Sequence, residues 1–130
     1  MGLKITSTTL LACMLILAPT TAMAEEEDHP FWDQANTRLL LLNLAAQSLD
    51  AYSTQRALRH DNTKEFNPLA RPFVNRGWKG QALYSYGIGV GGTLAVSYLF
   101  HRMGQHNWER ITPLIVATPT AIFGGLNFRF

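Results

Sequence analysis

Charge and cysteine are both scarce in this chain of 130 residues. Only 15% of the residues are charged, against about 25% in an average soluble domain, whereas 47% are hydrophobic. The single cysteine, Cys13, lies in an N-terminal apolar run, so a mature chain without that run has no thiol for a disulfide or for catalysis. The length allows one domain. The basic residues do not collect on one face, which argues against a nucleic-acid partner.

The first 24 residues have the three parts of a secretory signal peptide. A basic start, MGLK, precedes the apolar run ITSTTLLACMLILAP, and TTAMA then supplies small residues, with Ala22 and Ala24 at the A-x-A positions. We expect cleavage after Ala24, with an uncleaved signal anchor as the alternative. Residues 25–36 would then form an exported acidic tail.

The rest of the chain predicts an all-α fold, a three-helix membrane domain over residues 37–128. The segments 80–100 and 111–128 contain no charged residue, and about 20 mostly apolar residues are enough to cross a bilayer core. The segment 37–58 is interrupted by charged and polar residues, among them Asp50. It can span a membrane only if its polar side faces protein. A soluble exported helical protein is the alternative.

The distribution of basic residues predicts the orientation of these helices. Residues 56–79 contain six Lys or Arg, whereas the connection 101–110 contains two. Because basic loops stay in the cytoplasm, the 56–79 connection is predicted to be cytoplasmic, and the tail and the 101–110 turn to be outside. The expected location is the inner membrane, with the mature N-terminus outside and the lipid bilayer as a partner.

One side of the first segment is polar. At 100° per residue, its Asn, Gln, Asp and Thr side chains fall on one stripe. An ionised Asp near mid-membrane costs about 2.5–3.5 kcal/mol on insertion scales, so Asp50 is the sharpest candidate for a functional residue. The alternative is a stripe that holds helices together by hydrogen bonds. The candidate binding or polar-seam residues are Asn43, Gln47, Asp50, Thr54, Glu65 and Asn67.

The connection EFNPLARPF and the second segment supply the other candidates. Pro68 disfavours helical geometry at Asn67, so the first helix is expected to end before it, with Glu65 and Asn67 as capping side chains. Gly87 and Gly91 form a GxxxG pattern, which predicts close helix packing in membranes.

Catalytic and metal-binding patterns were not found in the sequence. The histidines His29, His60, His101 and His106 are widely spaced, and the last two are five residues apart, unlike the i, i+4 zinc pair of one helix face. We therefore predict no metal site, no cofactor and no enzymatic activity.

The chain resembles a family of small bacterial integral membrane proteins, a domain of unknown function with an Asp-x3-Thr…Glu-x-Asn-Pro signature. The resemblance is carried by a glycine-rich second helix and by the residues Asn43, Asp50, Thr54, Glu65, Asn67, Pro68 and Leu69, with Asn127 matching a late Asn. It extends over residues 36–100 and implies a membrane location but no activity. The expected role is a non-enzymatic accessory subunit or a self-associating bundle, with a homo-oligomer or a membrane protein as partner. The alternative role is a small transporter or proton-relay element that uses Asp50.

Overall fold

The computed structural model of the chain describes residues 28–60, 64, 65 and 67–129. All regular secondary structure in these residues is helical, which confirms the all-α part of the predicted fold class. Among the described helices, one, His106–Arg129, is long and apolar enough to cross a membrane. The predicted signal segment 1–24 and the first three residues of the acidic tail lie outside the described residues.

Three long helical stretches correspond to the three predicted segments, and each begins earlier than predicted. The second stretch is one continuous run, 78–102, with a π-helix in its middle. The elements are α1 Gln34–Ala57, α2 Arg71–Val74, α3 Trp78–Ala82, the π-helix Leu83–Gly92, α4 Thr93–Arg102, α5 His106–Leu126 and a 3₁₀ turn Asn127–Arg129. Helix α1 packs against α5 and the π-helix, and α4 packs against α5.

The start of α1 is determined by Asp33. Its Oδ1 accepts a hydrogen bond of 2.7 Å from the Asn36 backbone amide, which satisfies one of the free amides of the first turn. The helix therefore begins at Gln34, inside the segment that was predicted to be an acidic tail. As a result, Asn36 is a buried residue of the helical bundle.

A tight turn joins α4 to α5. Gly104 has φ of +70°, the left-handed conformation that favours glycine. Its amide donates to the His101 carbonyl (3.0 Å), and the next amide, of Gln105, donates to the Phe100 carbonyl (2.9 Å). This is a Schellman cap, and it places His101, at the end of α4, close to His106, at the start of α5.

Helix α5 contains a proline whose missing hydrogen bond is replaced from a neighbouring helix. Pro113 has no N–H to donate to the Glu109 carbonyl, four residues earlier. The buried Ser97 hydroxyl of α4 donates to that carbonyl instead, at 2.5 Å. This bond joins α4 to α5 at Glu109, whose own side chain is fully buried.

The interior of the bundle is mostly small or polar. The apolar core cluster among the described residues consists of the three alanines Ala46, Ala117 and Ala121. Large apolar side chains lie on the outside: Leu41 is 57% exposed and Ile115 is 58% exposed. The polar side of α1 faces inward, as the stripe on its sequence requires.

The long helices pack closely at Gly89 and Gly124. A Cβ atom on Gly89 would lie 2.5 Å from the Gln47 side chain, and one on Gly124 would lie 2.9 Å from the Asp50 Cα. Gly87 and Gly91, predicted from the GxxxG pattern, are exposed, and a Cβ on either would contact only its own helix. The pair of small residues with this spacing that faces the interior is instead Ser85 and Gly89.

Candidate functional sites

The polar seam is the row of polar side chains on the inward side of α1. Its residues Asn43 and Gln47 join α1 to the π-helix. Asn43 is fully buried, and its Nδ2 donates to the Gly89 carbonyl at 3.2 Å. The Thr93 hydroxyl donates to the same carbonyl at 2.5 Å. Gln47 is also buried and packs against Gly89. Asn43 thus binds a carbonyl of the π-helix, and Gln47 contacts a glycine of the same helix. Both contacts hold the two helices together.

The middle of the seam joins α1 to the C-terminal end of α5. Asn127 Nδ2 donates to the Thr54 hydroxyl at 2.9 Å, and Thr54 in turn hydrogen-bonds the half-buried Asp50 carboxylate. Glu65 is near enough to Asp50 for electrostatic repulsion between the two carboxylates. The structure therefore brings together Asp50, Thr54 and Glu65 of the predicted set and adds Asn127.

Glu65 and Asn67 also shape the connection after α1. Glu65 Oε1 accepts from the Asn67 amide at 2.9 Å, and Asn67 Oδ1 accepts from the Leu69 amide at 3.0 Å. These bonds satisfy amides of the connection itself, whereas helix α2 has Ala70 as its N-cap and no side-chain cap. Asn67 Nδ2 donates to the Tyr84 hydroxyl at 3.2 Å, which attaches the connection to the π-helix.

The seam extends further than the sequence predicted, toward the end of the bundle that holds α2. Gln55 Nε2 donates to the Val74 carbonyl and to Gln81 Oε1, both at 3.1 Å. Gln81 Nε2 then donates to the Ser85 hydroxyl at 2.9 Å. All three polar residues are buried. The signal was available, because Gln81 is an amide side chain at the start of the charge-free segment 80–100.

A second group of polar residues lies at the opposite end of the bundle. The ligand-type atoms of His29, His101, His106 and Glu109 all lie within 4.8 Å of one another, a set that could hold a metal ion. The Nδ1 atoms of His106 and His101 are 2.8 and 3.2 Å from Glu109 Oε2. His29 Nε2 is 3.7 Å from the same oxygen. We call these four residues the His–Glu cluster.

An ion pair with one buried partner, Arg110, supports this cluster. Arg110 Nη2 donates to Asp33 Oδ2 at 2.9 Å, and the same oxygen lies 3.0 Å from His29 Nδ1. The Arg110 side chain is 5% exposed. Asn36 Nδ2 donates to Glu109 Oε1, so both carboxylates of this end are held by residues on more than one element.

The sequence-based expectation that the histidines are dispersed is wrong for three of them. The i, i+4 spacing rule applies to two ligands on one helix face, whereas His101 and His106 lie on two helices joined by a turn. Gly104, between them, is the signal that indicates a helix end. His29 could not be placed from the sequence, because its position depends on how the N-terminal segment folds back.

No protein-family model, curated protein or solved structure matches this chain. The two sites are therefore interpreted from their own chemistry.

Proposed function

We propose that the chain is a small integral membrane protein, a three-helix bundle of a bacterial inner membrane with a non-enzymatic accessory or self-associating role. The observation that carries this proposal is the inverted polarity of the bundle. Asn43, Ser53 and Gln81 are 0% exposed, whereas Leu99 and Phe123 are 58% and 60% exposed. Soluble monomers rarely expose large contiguous apolar patches.

The interior has the composition that favours association of helices in lipid. Lipid tails are as apolar as leucine, so membrane helices associate through small residues and through hydrogen bonds between polar side chains. The alanine cluster Ala46, Ala117 and Ala121 and the close contacts at Gly89 and Gly124 supply the first. The Gln55, Gln81 and Ser85 network supplies the second.

The lengths of the helices give further support. One stretch, His106–Arg129, is long and apolar enough to cross a membrane, by length and composition. Core helices of soluble proteins also meet that test, so this helix supports the proposal only together with the inverted surface. The run 78–102 exceeds the roughly 20 residues that a span requires.

The ends of the bundle are consistent with the orientation expected from the basic residues. His29 of the N-terminal segment meets His101 and His106, so this segment and the 101–110 turn lie at one end. The basic connection, which contains Arg71 and Arg76, follows α1 at the other end. The positive-inside rule then favours a cytoplasmic connection and an outside N-terminus.

Cysteine labelling tests this proposal, with Cys13 replaced by serine and single cysteines at Ile115, Arg71 and Gln105. All three side chains are exposed on the folded chain, so protection of Ile115→Cys must come from outside it, from lipid or from another chain in the membrane. We expect Gln105→Cys to react with an impermeant reagent from outside and Arg71→Cys only after permeabilisation. Ile115→Cys should react only after denaturation. Free reaction at all three positions, in a fraction that alkaline carbonate releases, would refute the membrane proposal.

A second candidate function, a proton relay, is favoured by the hydrogen-bonded chain from Asn127 through Thr54 to Asp50, with Glu65 nearby. The packing role expects Asp50→Asn to keep a near-normal melting temperature and function, because an amide can still accept from Thr54. A relay expects the same variant to fold but to lose proton movement into vesicles, measured with a pH-sensitive dye. Our proposal expects no difference in that flux between the wild-type protein and Asp50→Asn.

A further inference from the structure

We propose that the His–Glu cluster binds one divalent first-row transition-metal ion of the Zn²⁺ class. Its donors are three imidazoles and one carboxylate, the nitrogen and oxygen ligands that such ions accept. They come from three parts of the chain: the segment before α1, the end of α4 and the first turn of α5. A bound ion would therefore hold these three parts together.

The distances between the donor atoms are close to those of a tetrahedral site. With bonds of about 2.0–2.1 Å, neighbouring ligand atoms of tetrahedral zinc are about 3.3 Å apart. The three imidazole nitrogens lie 2.8, 3.2 and 3.7 Å from Glu109 Oε2, on both sides of that value. All four donor atoms lie within 4.8 Å of one another.

The surroundings of His29 provide an independent sign of a metal ligand. A ligating histidine usually donates its other ring N–H to a carboxylate or a carbonyl, which fixes the tautomer. His29 Nδ1 lies 3.0 Å from both Asp33 Oδ2 and the Pro30 carbonyl, so its Nε2 is the free ligand atom. Within the described part of the chain, this buried Nε2 has no hydrogen-bond partner, and it faces Glu109.

The charge balance also favours a cation. Glu109 is fully buried, and a buried carboxylate needs a compensating charge. The neighbouring guanidinium does not supply one, because Arg110 pairs with Asp33. A divalent ion would do so, in place of the direct contacts that His101 Nδ1 and His106 Nδ1 make with Glu109 Oε2.

The histidines leave a route for the ion. Their side chains are between 12% and 18% exposed, whereas Glu109 is 0% exposed. An ion arriving from the surface would meet the imidazoles first and the carboxylate behind them.

Titration of the full chain with Zn²⁺, and with Co²⁺ as a spectroscopic probe, tests this site. The protein is purified without a histidine tag, stripped with a chelator and titrated by calorimetry. We expect one Zn²⁺ per chain and the intense visible absorption of tetrahedral Co²⁺. His106→Gln should weaken Zn²⁺ binding at least about 100-fold, because even the loss of an outer-shell partner costs about 10–100-fold.

The chain offers a matched control in His60, which is exposed and lies outside the cluster. His60→Gln should leave the stoichiometry, the affinity and the Co²⁺ spectrum unchanged. An absence of stoichiometric Zn²⁺ binding by the wild-type chain would overturn the proposal. Equal losses in His60→Gln and His106→Gln would overturn it as well, since binding would then be nonspecific.

A second variant keeps the test decisive if His106→Gln folds poorly. Asp33→Asn preserves the side-chain shape but removes the carboxylate next to His29 Nδ1. For this outer-shell change we expect Zn²⁺ binding to weaken about 10–100-fold, with one ion still bound per chain. If the affinity for Zn²⁺ is unchanged in Asp33→Asn and in every variant of the four ligands that folds, these residues do not form the metal site.

Discussion

Replacing Asp33 with alanine is expected to destabilise the metal-free protein by about 3 kcal/mol or more. Asp33 is the ion-pair partner of Arg110, whose side chain is 5% exposed, and removal of one partner of a buried pair typically costs about 3–5 kcal/mol. Arg110 Nε and Nη1 are already buried without partners in the described part of the chain. Without Asp33, the whole guanidinium would lack a counter-charge.

The same substitution removes the N-cap of α1. Loss of a cap costs about 0.5–2 kcal/mol by itself, so Asp33→Asn separates the two contributions: asparagine still accepts from the Asn36 amide but carries no charge. We expect Asp33→Asn to recover part of the loss in denaturant unfolding measured in detergent with a chelator present. Arg110→Met should restore stability in the Asp33→Ala background, because it removes the unpaired charge. A cost below about 1 kcal/mol for Asp33→Ala would show that the pair is screened by water.

Replacing Gly124 with leucine is expected to separate α1 from α5. A Cβ at this position would lie 2.9 Å from the Asp50 Cα and 3.0 Å from its amide nitrogen. Both are backbone atoms of a 24-residue helix, so no side-chain rotation relieves the contact. Overpacking in an interior costs about 1–3 kcal/mol. We expect a lower melting temperature, with a smaller decrease for Gly124→Ala.

Gly92 is the matched control for this change. It is also a helical glycine, but a Cβ there would have nothing within 4 Å. Gly92→Ala should therefore be neutral or slightly stabilising, since alanine is favoured over glycine in a helix by about 0.5–1 kcal/mol. If the melting temperature of Gly124→Leu equals that of the wild type while that of Gly92→Ala differs from it, the close contact between α1 and α5 is wrong.

The helices were predictable from the sequence, because their signals are local. Charge-free segments, Pro68 and the polar stripe of α1 each act through neighbouring residues, and the structure has a helix for each predicted segment. The early start of α1 was missed because the segment before residue 37 looks like an acidic tail. Asp33 gives only a weak signal for a helix start, because the third helical position holds Asn36 and not the Glu or Gln of a capping box.

The sites were less predictable, because they depend on which elements meet. Asp50 and Thr54 are one helical turn apart, so their contact follows from the sequence, whereas Asn127 comes from the other end of the chain. The His–Glu cluster combines residues separated by up to 80 positions, from His29 to Glu109. Spacing rules for one helix cannot find such a set.

The bond from Ser97 to the Glu109 carbonyl also has a consequence for how the chain is made. Because Pro113 cannot donate to that carbonyl, the first turns of α5 complete their hydrogen bonding only when α4 is alongside. Helix α4 leaves the ribosome first, so its hydroxyl is already available when the proline emerges. The hairpin of α4 and α5 is thus suited to form as one unit, and its formation gathers three of the four donors of the His–Glu cluster.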